Sequence, residues 1–165
     1  MIQAVLFDLD GTLADTAPDL GHALNRQRRN RGLEELPIEA IRPHASAGAR
    51  GLLKLGFSLE PGQADFDAMR AEFLDFYAER LCNDTRLFPG VPQMLGALEG
   101  LGMRWGVVTN KPARFTVPLL DLLGLTQRAA CVVSGDTTPY PKPHPAPLLA
   151  AAEAMGLAPF QCLYV

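Results

Sequence analysis

An α/β fold with an open, parallel, Rossmann-like sheet is predicted by three features of the 165-residue chain. Short apolar runs stop at polar residues, helical patterns separate those runs, and glycines close the helices. The first run, Ala4-Val5-Leu6-Phe7 ahead of Asp8, suits a strand buried on both faces. A helix is expected over 18–31, capped by Asp15 or Thr16 and stopped by Gly32. Shorter helices follow near 37–42 and 49–55. Phe66, Met69, Phe73, Phe76, Tyr77 and Leu81 then mark a long amphipathic one. No strand is expected between Asp15 and Leu87, and Pro89-Gly90 returns the chain to the alternating pattern. Val91, Met94, Leu95, Leu98 and Leu101 recur at helical spacing before the strand Trp105–Thr109. Phe115, Leu119, Leu120 and Leu123 define a helix ending at Gly124, followed by the strand 130–134. Leu148, Leu149, Ala152 and Met155 define the last helix, closed by Gly156, before Cys162–Val165. The expected organisation is an α/β core of 1–14 and 88–165, with 15–87 as a helical insertion. That insertion is expected to cover the sheet's C-terminal edge, where open α/β sheets bind ligands. The strand at 4–8 should lie between 105–109 and 162–165.

Composition narrows the function classes. Hydrophobic residues make up 48% and charged residues 20%, as in ordinary globular proteins. Fifteen Lys and Arg against eighteen Asp and Glu leave a net charge of -3, which offers no global field for nucleic acid. No apolar stretch approaches the roughly 18 residues of a membrane span. The N-terminus lacks a basic region and reaches Asp8 too early for a secretion signal, so a cytoplasmic location is expected. Cys82, Cys131 and Cys162 form neither a disulfide framework nor a zinc spacing, and the last two read as small buried side chains.

The chemistry concentrates at the strand ends. In Asp8-Leu9-Asp10-Gly11-Thr12, two carboxylates one residue apart can both face the crevice, and Gly11 permits the tight turn. One carboxylate can attack phosphorus and the other can protonate the leaving oxygen. Thr109-Asn110-Lys111-Pro112 ends a second strand, where a hydroxyl, backbone amides and the positive end of the next helix can bind phosphate. Lys142, in Tyr140-Pro141-Lys142-Pro143-His144-Pro145, is a cation on a restricted backbone suited to screening charge between carboxylate and phosphate. The three together are far more specific than any one of them.

These segments, in this order, resemble the haloacid dehalogenase superfamily of phosphatases, and the resemblance extends along the whole chain. The fold so implied is HAD-like, with 15–87 as a C1-type cap. Phe7–Asp19 and Val107–Pro112 are most similar to phosphoglycolate phosphatase-like members. Ser46–Arg50 and Trp105–Phe115 also look like the N-acetylmuramic acid 6-phosphate phosphatases. The resemblance implies Asp8 as nucleophile and Asp10 as acid and base. It implies Thr109, Asn110 and Lys142 at the phosphate, and Mg2+ held by Asp8 and the Asp10 backbone carbonyl. The expected partner is a small phosphorylated metabolite carrying a carboxylate, with no nucleic acid and no membrane.

The superfamily's fourth motif, an acidic pair after the fourth core strand, is not found within the 165 residues, since Cys162–Val165 ends the sequence. The expectation is therefore of a C-terminally truncated core, weak in Mg2+ binding and in turnover. Arg50, between Gly48 and Gly51, is the candidate reader of a substrate carboxylate, and a solvated helix arginine is the alternative. Arg26, Arg28, Arg29 and Arg31 read as a solvated face at a helix C-terminus. His22 and His44 read as surface or packing residues, His144 as a neighbour of Lys142, and Trp105 as core. Two other readings rank lower. A phosphorylated receiver domain normally carries its acidic pair upstream of the acceptor strand and has no helical insertion. An inactive binding module is favoured only by the missing fourth motif.

Overall fold

The computed structural model describes residues 1–165, which fold as two compact units, 1–14 with 87–165 and 15–86. The first unit is built on four strands: β1 (Ala4–Phe7), β2 (Arg104–Val108), β3 (Val132–Val133) and β4 (Cys162–Tyr164). Their order across the sheet is β3-β2-β1-β4, and every pairing is parallel. Val5 stands opposite both Trp105 and Leu163, so β1 lies between the two neighbours expected of it. All four residues of β1 are buried, as a continuous apolar run requires in a sheet covered on both faces.

Three helices belong to this unit: Val91–Gly100, Ala113–Leu122 and Ala146–Ala154. The second and third end ahead of Gly124 and Gly156, whose positive φ values of 70° and 63° only glycine adopts without strain. Ala151 of the third helix and Met155 at its C-terminal cap pack on Ala4, Leu6, Val108 and Val133. Trp105 is fully buried core, and its indole N–H donates to Glu99 Oε1 at 2.9 Å. Cys131 and Cys162 are half-buried and not fully enclosed, because they sit at the margins of the sheet beside that cluster. Burial nonetheless pushes the Cys131 thiol up to about 11.

The second unit is helical. It contains α1 (Ala17–Arg29), α2 (Ile38–Ile41), a 3-10 turn at Arg42–Ala47, α3 (Gly48–Phe57) and α4 (Phe66–Ala78). Thr16 stands at the α1 cap position without a side-chain capping bond, and α4 stops short of Leu81. Two-residue strands, Ala14–Asp15 and Arg86–Leu87, occur where no strand was expected. Two residues carry too little pattern to be read from periodicity. The arginines near the end of α1 are not merely solvated. Arg26 pairs with Glu79, Arg29 with Glu35 and Arg31 with Glu72, and Arg26 lies 3.9 Å over the Phe76 ring. Asp19, fully buried, accepts bonds from the Asp84 N–H, the Thr85 N–H and the Thr85 hydroxyl at 3.0, 2.8 and 2.7 Å.

Candidate active site

The site is assembled at the C-terminal ends of β1 and β2 and on the loop after β3. Beyond β1 the chain folds back on itself, with the Leu13 and Ala14 N–H groups both donating to the Leu9 carbonyl. Gly11, at φ 79°, makes that turn possible, and the fully buried Leu9 and Leu13 pin it. Asp8 and Asp10 are thereby held on a fixed turn. The Asp8 carboxylate also accepts the Leu9 N–H at 2.8 Å.

Lys142 reaches this turn from the loop after β3. Its ammonium donates to Asp8 Oδ1 at 2.9 Å, the Val108 carbonyl at 2.9 Å and the Tyr164 hydroxyl at 2.6 Å. Three donors meeting three acceptors fix the cation in place. Its backbone is fixed too. The Asn110 side chain accepts the Lys142 N–H at 2.9 Å and donates to the Lys142 carbonyl at 3.0 Å. Asn110 was expected at the phosphate, but its side-chain amide is engaged at both ends with the Lys142 backbone. Any phosphate contact by Asn110 therefore falls to its main-chain N–H.

Thr109 is nearly enclosed, at 2% exposure, and its hydroxyl oxygen accepts the Lys111 N–H at 3.1 Å, leaving the hydroxyl proton for another acceptor. The N-terminus of the following helix is partly taken, because Asp136 Oδ1 accepts the Ala113 N–H at 2.9 Å. His144 stands on the same loop as Lys142, with Nδ1 accepting the Ala146 N–H at 3.2 Å, and so faces its own helix start. Arg50 lies exposed on α3 in the other unit.

Sequence reasoning assigned no role to Lys111 or Tyr164. Lys111 is buried, with 9% exposure, and its ammonium is 3.1 Å from Asp10 Oδ1. Its signal was its place in the strand-end tetrapeptide, two residues after Thr109. The Tyr164 hydroxyl on Lys142 had no comparable signal, since alternation along β4 does not say which strand-end side chain meets a loop nine residues beyond β3. With both carboxylates ionised, the two acids and the two lysines, Lys111 and Lys142, balance in formal charge. A phosphate dianion entering between them would therefore favour an additional cation. The oxygen donors of Asp8 and Asp10 suit a hard divalent ion, which takes one or two carboxylates and completes its shell with water and phosphate.

A family model described as haloacid dehalogenase-like hydrolase matches residues 2–165. The phosphoglycolate phosphatase of Xanthomonas campestris pv. campestris is 44% identical over 163 residues, covering 99% of this chain and 73% of that protein. The N-acetylmuramic acid 6-phosphate phosphatase of Pseudomonas aeruginosa is 39% identical over 164 residues, covering 99% of this chain and 73% of that protein. A crystal structure of a predicted phosphoglycolate phosphatase from Haemophilus somnus superposes with a TM-score of 0.83 at 31% identity. It is matched over 99% of this chain and 76% of that one.

Proposed function

Since the chain belongs to the haloacid dehalogenase-like hydrolase family, we propose that it hydrolyses a small phosphomonoester through an aspartyl-phosphate on Asp8. The observation that carries this reading is the pair of carboxylates on the β1 turn, each ion-paired to a different lysine. Asp8 is the more exposed of the two and is the nucleophile, its oxygen bonding to phosphorus as the ester P–O bond breaks. Lys142 orients Asp8 and balances charge as the phosphoryl group approaches. The Asp10 carboxyl gives its proton to the departing ester oxygen, then takes one from the water that cleaves the aspartyl-phosphate. The Thr109 hydroxyl proton and the main-chain N–H of Asn110 supply donors to the phosphoryl oxygens. Mg2+, held by the Asp8 carboxylate and the Asp10 main-chain carbonyl, would supply further positive charge opposite the phosphoryl oxygens.

Among substrates, a phosphoglycolate-like carboxylated phosphomonoester is favoured by the relatives' names, with N-acetylmuramic acid 6-phosphate as the second reading. Residues 15–86 serve as the cap, and Arg50 reads the carboxylate. No helix of the chain is long and apolar enough to cross a membrane.

The test is turnover of an aryl phosphate, phosphoglycolate and N-acetylmuramic acid 6-phosphate by this chain with Mg2+, beside Asp8→Asn. Weak turnover, as expected of a chain without the fourth motif, and an acid-stable phosphoenzyme are expected in the unmodified chain, and both are absent in the variant. Near-normal turnover by Asp8→Asn would overturn the mechanism.

A further inference from the structure

We propose that Lys111 is a positioning residue for the acid–base step. It fixes the Asp10 carboxylate and leaves Oδ2 as the oxygen that carries the transferred proton. The inference rests on the phosphatase reading above and concerns a lysine to which that reading gave no part.

Lys111 is a cation built into the site. Its side chain is only 7% exposed, and its ammonium lies 3.1 Å from Oδ1 of an Asp10 side chain that is 11% exposed. A lysine is almost never enclosed without a partner that justifies its desolvation. Its backbone is pinned on both sides. The Lys111 N–H donates to the Thr109 hydroxyl oxygen at 3.1 Å, and its carbonyl accepts the Gly135 N–H and the Thr116 hydroxyl, each at 2.9 Å. Gly135 permits this approach, since a Cβ there would stand 2.1 Å from the Asn110 carbonyl oxygen. The segments that follow β2 and β3 are thus bonded to each other at the Lys111 carbonyl.

The consequence follows from donor and acceptor chemistry. An ammonium has donors and no acceptor, so a carboxyl proton on Asp10 cannot reside on the oxygen that faces Lys111. That proton sits on Oδ2, and the rotamer that presents Oδ2 is held by the ion pair. In the first step the ester P–O bond breaks, the Asp8 O–P bond forms, and the Oδ2 proton passes to the departing oxygen. In the second, water attacks phosphorus, its proton passes to Oδ2, and the Asp8 O–P bond breaks. Lys111 keeps its own protons throughout. The two lysines therefore divide the work: Lys142 aligns the nucleophile and Lys111 aligns the proton carrier.

The two roles are separable by leaving group. A good leaving group such as 4-nitrophenolate needs little protonation, whereas an alkoxide needs a full proton transfer. Kinetics of 4-nitrophenyl phosphate and an alkyl phosphate are measured with this chain and with Lys111→Met, Lys111→Arg and Asp10→Asn. Lys111→Met is expected to lose at least ~10-fold more kcat on the alkyl than on the aryl phosphate, with KM nearly unchanged, inside the range for general acid–base catalysis. Lys111→Arg keeps the charge and should recover part of that loss, and it serves where Lys111→Met folds poorly. Asp10→Asn should show the same leaving-group bias. Equal losses on both substrates in the Lys111 variants, with Asp10→Asn biased, would overturn the inference and leave the phosphatase reading intact. No bias in Asp10→Asn, or no turnover by the unmodified chain, would overturn that reading and the inference together.

Discussion

At the scale of single residues, the site depends on a few side chains held by specific backbone and ion-pair contacts. Gly135 shows the cost of disturbing them. A Gly135→Ala methyl would meet the Asn110 carbonyl at 2.1 Å, well inside any real contact, so the loop after β3 must move away from β2. Because Asn110 also clamps the Lys142 backbone, the displacement reaches Lys142 as well. Gly135→Ala is expected to lower kcat by at least ~10-fold, about 1.4 kcal/mol in the barrier, while the fold persists by circular dichroism. Wild-type kinetics in that variant would show that the loop yields without moving its lysine. Arg50 makes the contrasting case. Arg50→Ala should weaken kcat/KM for a carboxylated phosphomonoester by about 2–5 kcal/mol if its charge pair with substrate is desolvated. An uncharged aryl phosphate should be far less affected. Equal losses on both substrates would assign Arg50 to the helical unit's own structure.

At the scale of elements, α1 owes its hold on the rest of its unit to polar groups as much as to apolar packing. Asp19, on its first turn, gathers the Asp84 and Thr85 amides and the Thr85 hydroxyl, with Arg80 Nε at 3.6 Å. Asp19→Ala leaves those donors buried and unmet, and is expected to cost about 3 kcal/mol in urea unfolding. A loss below ~1 kcal/mol would mean that water replaces the carboxylate at no penalty. His22, on the same helix, makes the unit sensitive to pH. Burial, then Arg80, Arg29 and Arg26, hold its imidazole below the ordinary 6.5, with Asp19 opposing. The unfolded chain therefore binds the proton more readily, so stability rises with pH toward 6.5 and falls as pH drops below it. His22→Gln should flatten the stability profile below pH 6.5. An unchanged slope would place the dependence in another group.

At the scale of the whole molecule, the chain comprises two units, each with its own buried groups. Gly106 on β2 sits where a Cβ would be 2.5 Å from Cys131 Sγ, so Gly106→Ala perturbs the sheet unit as Asp19→Ala perturbs the helical one. The two positions share no partner, and their effects on unfolding free energy should add within about 0.5 kcal/mol. A coupling well beyond that would show that the two substitutions do not act independently. The sequence by itself determined the parallel sheet, the place of β1 between its two neighbours, the glycine helix ends and the positions of Asp8, Asp10 and Thr109. It could do so because continuous apolar runs, helical periodicity and turn glycines are local properties, and a strand end places whatever residue follows it. The tertiary structure alone decided which lysine meets which carboxylate, that the Asn110 side chain holds the Lys142 backbone, and that Tyr164 meets Lys142. It also decided that the arginines of α1 are paired and that two-residue strands form at Ala14–Asp15 and Arg86–Leu87. Those outcomes depend on side chains brought together from distant strand ends and helices. Their desolvation and hydrogen bonding are set by the packed neighbours, and no periodicity along the chain records them.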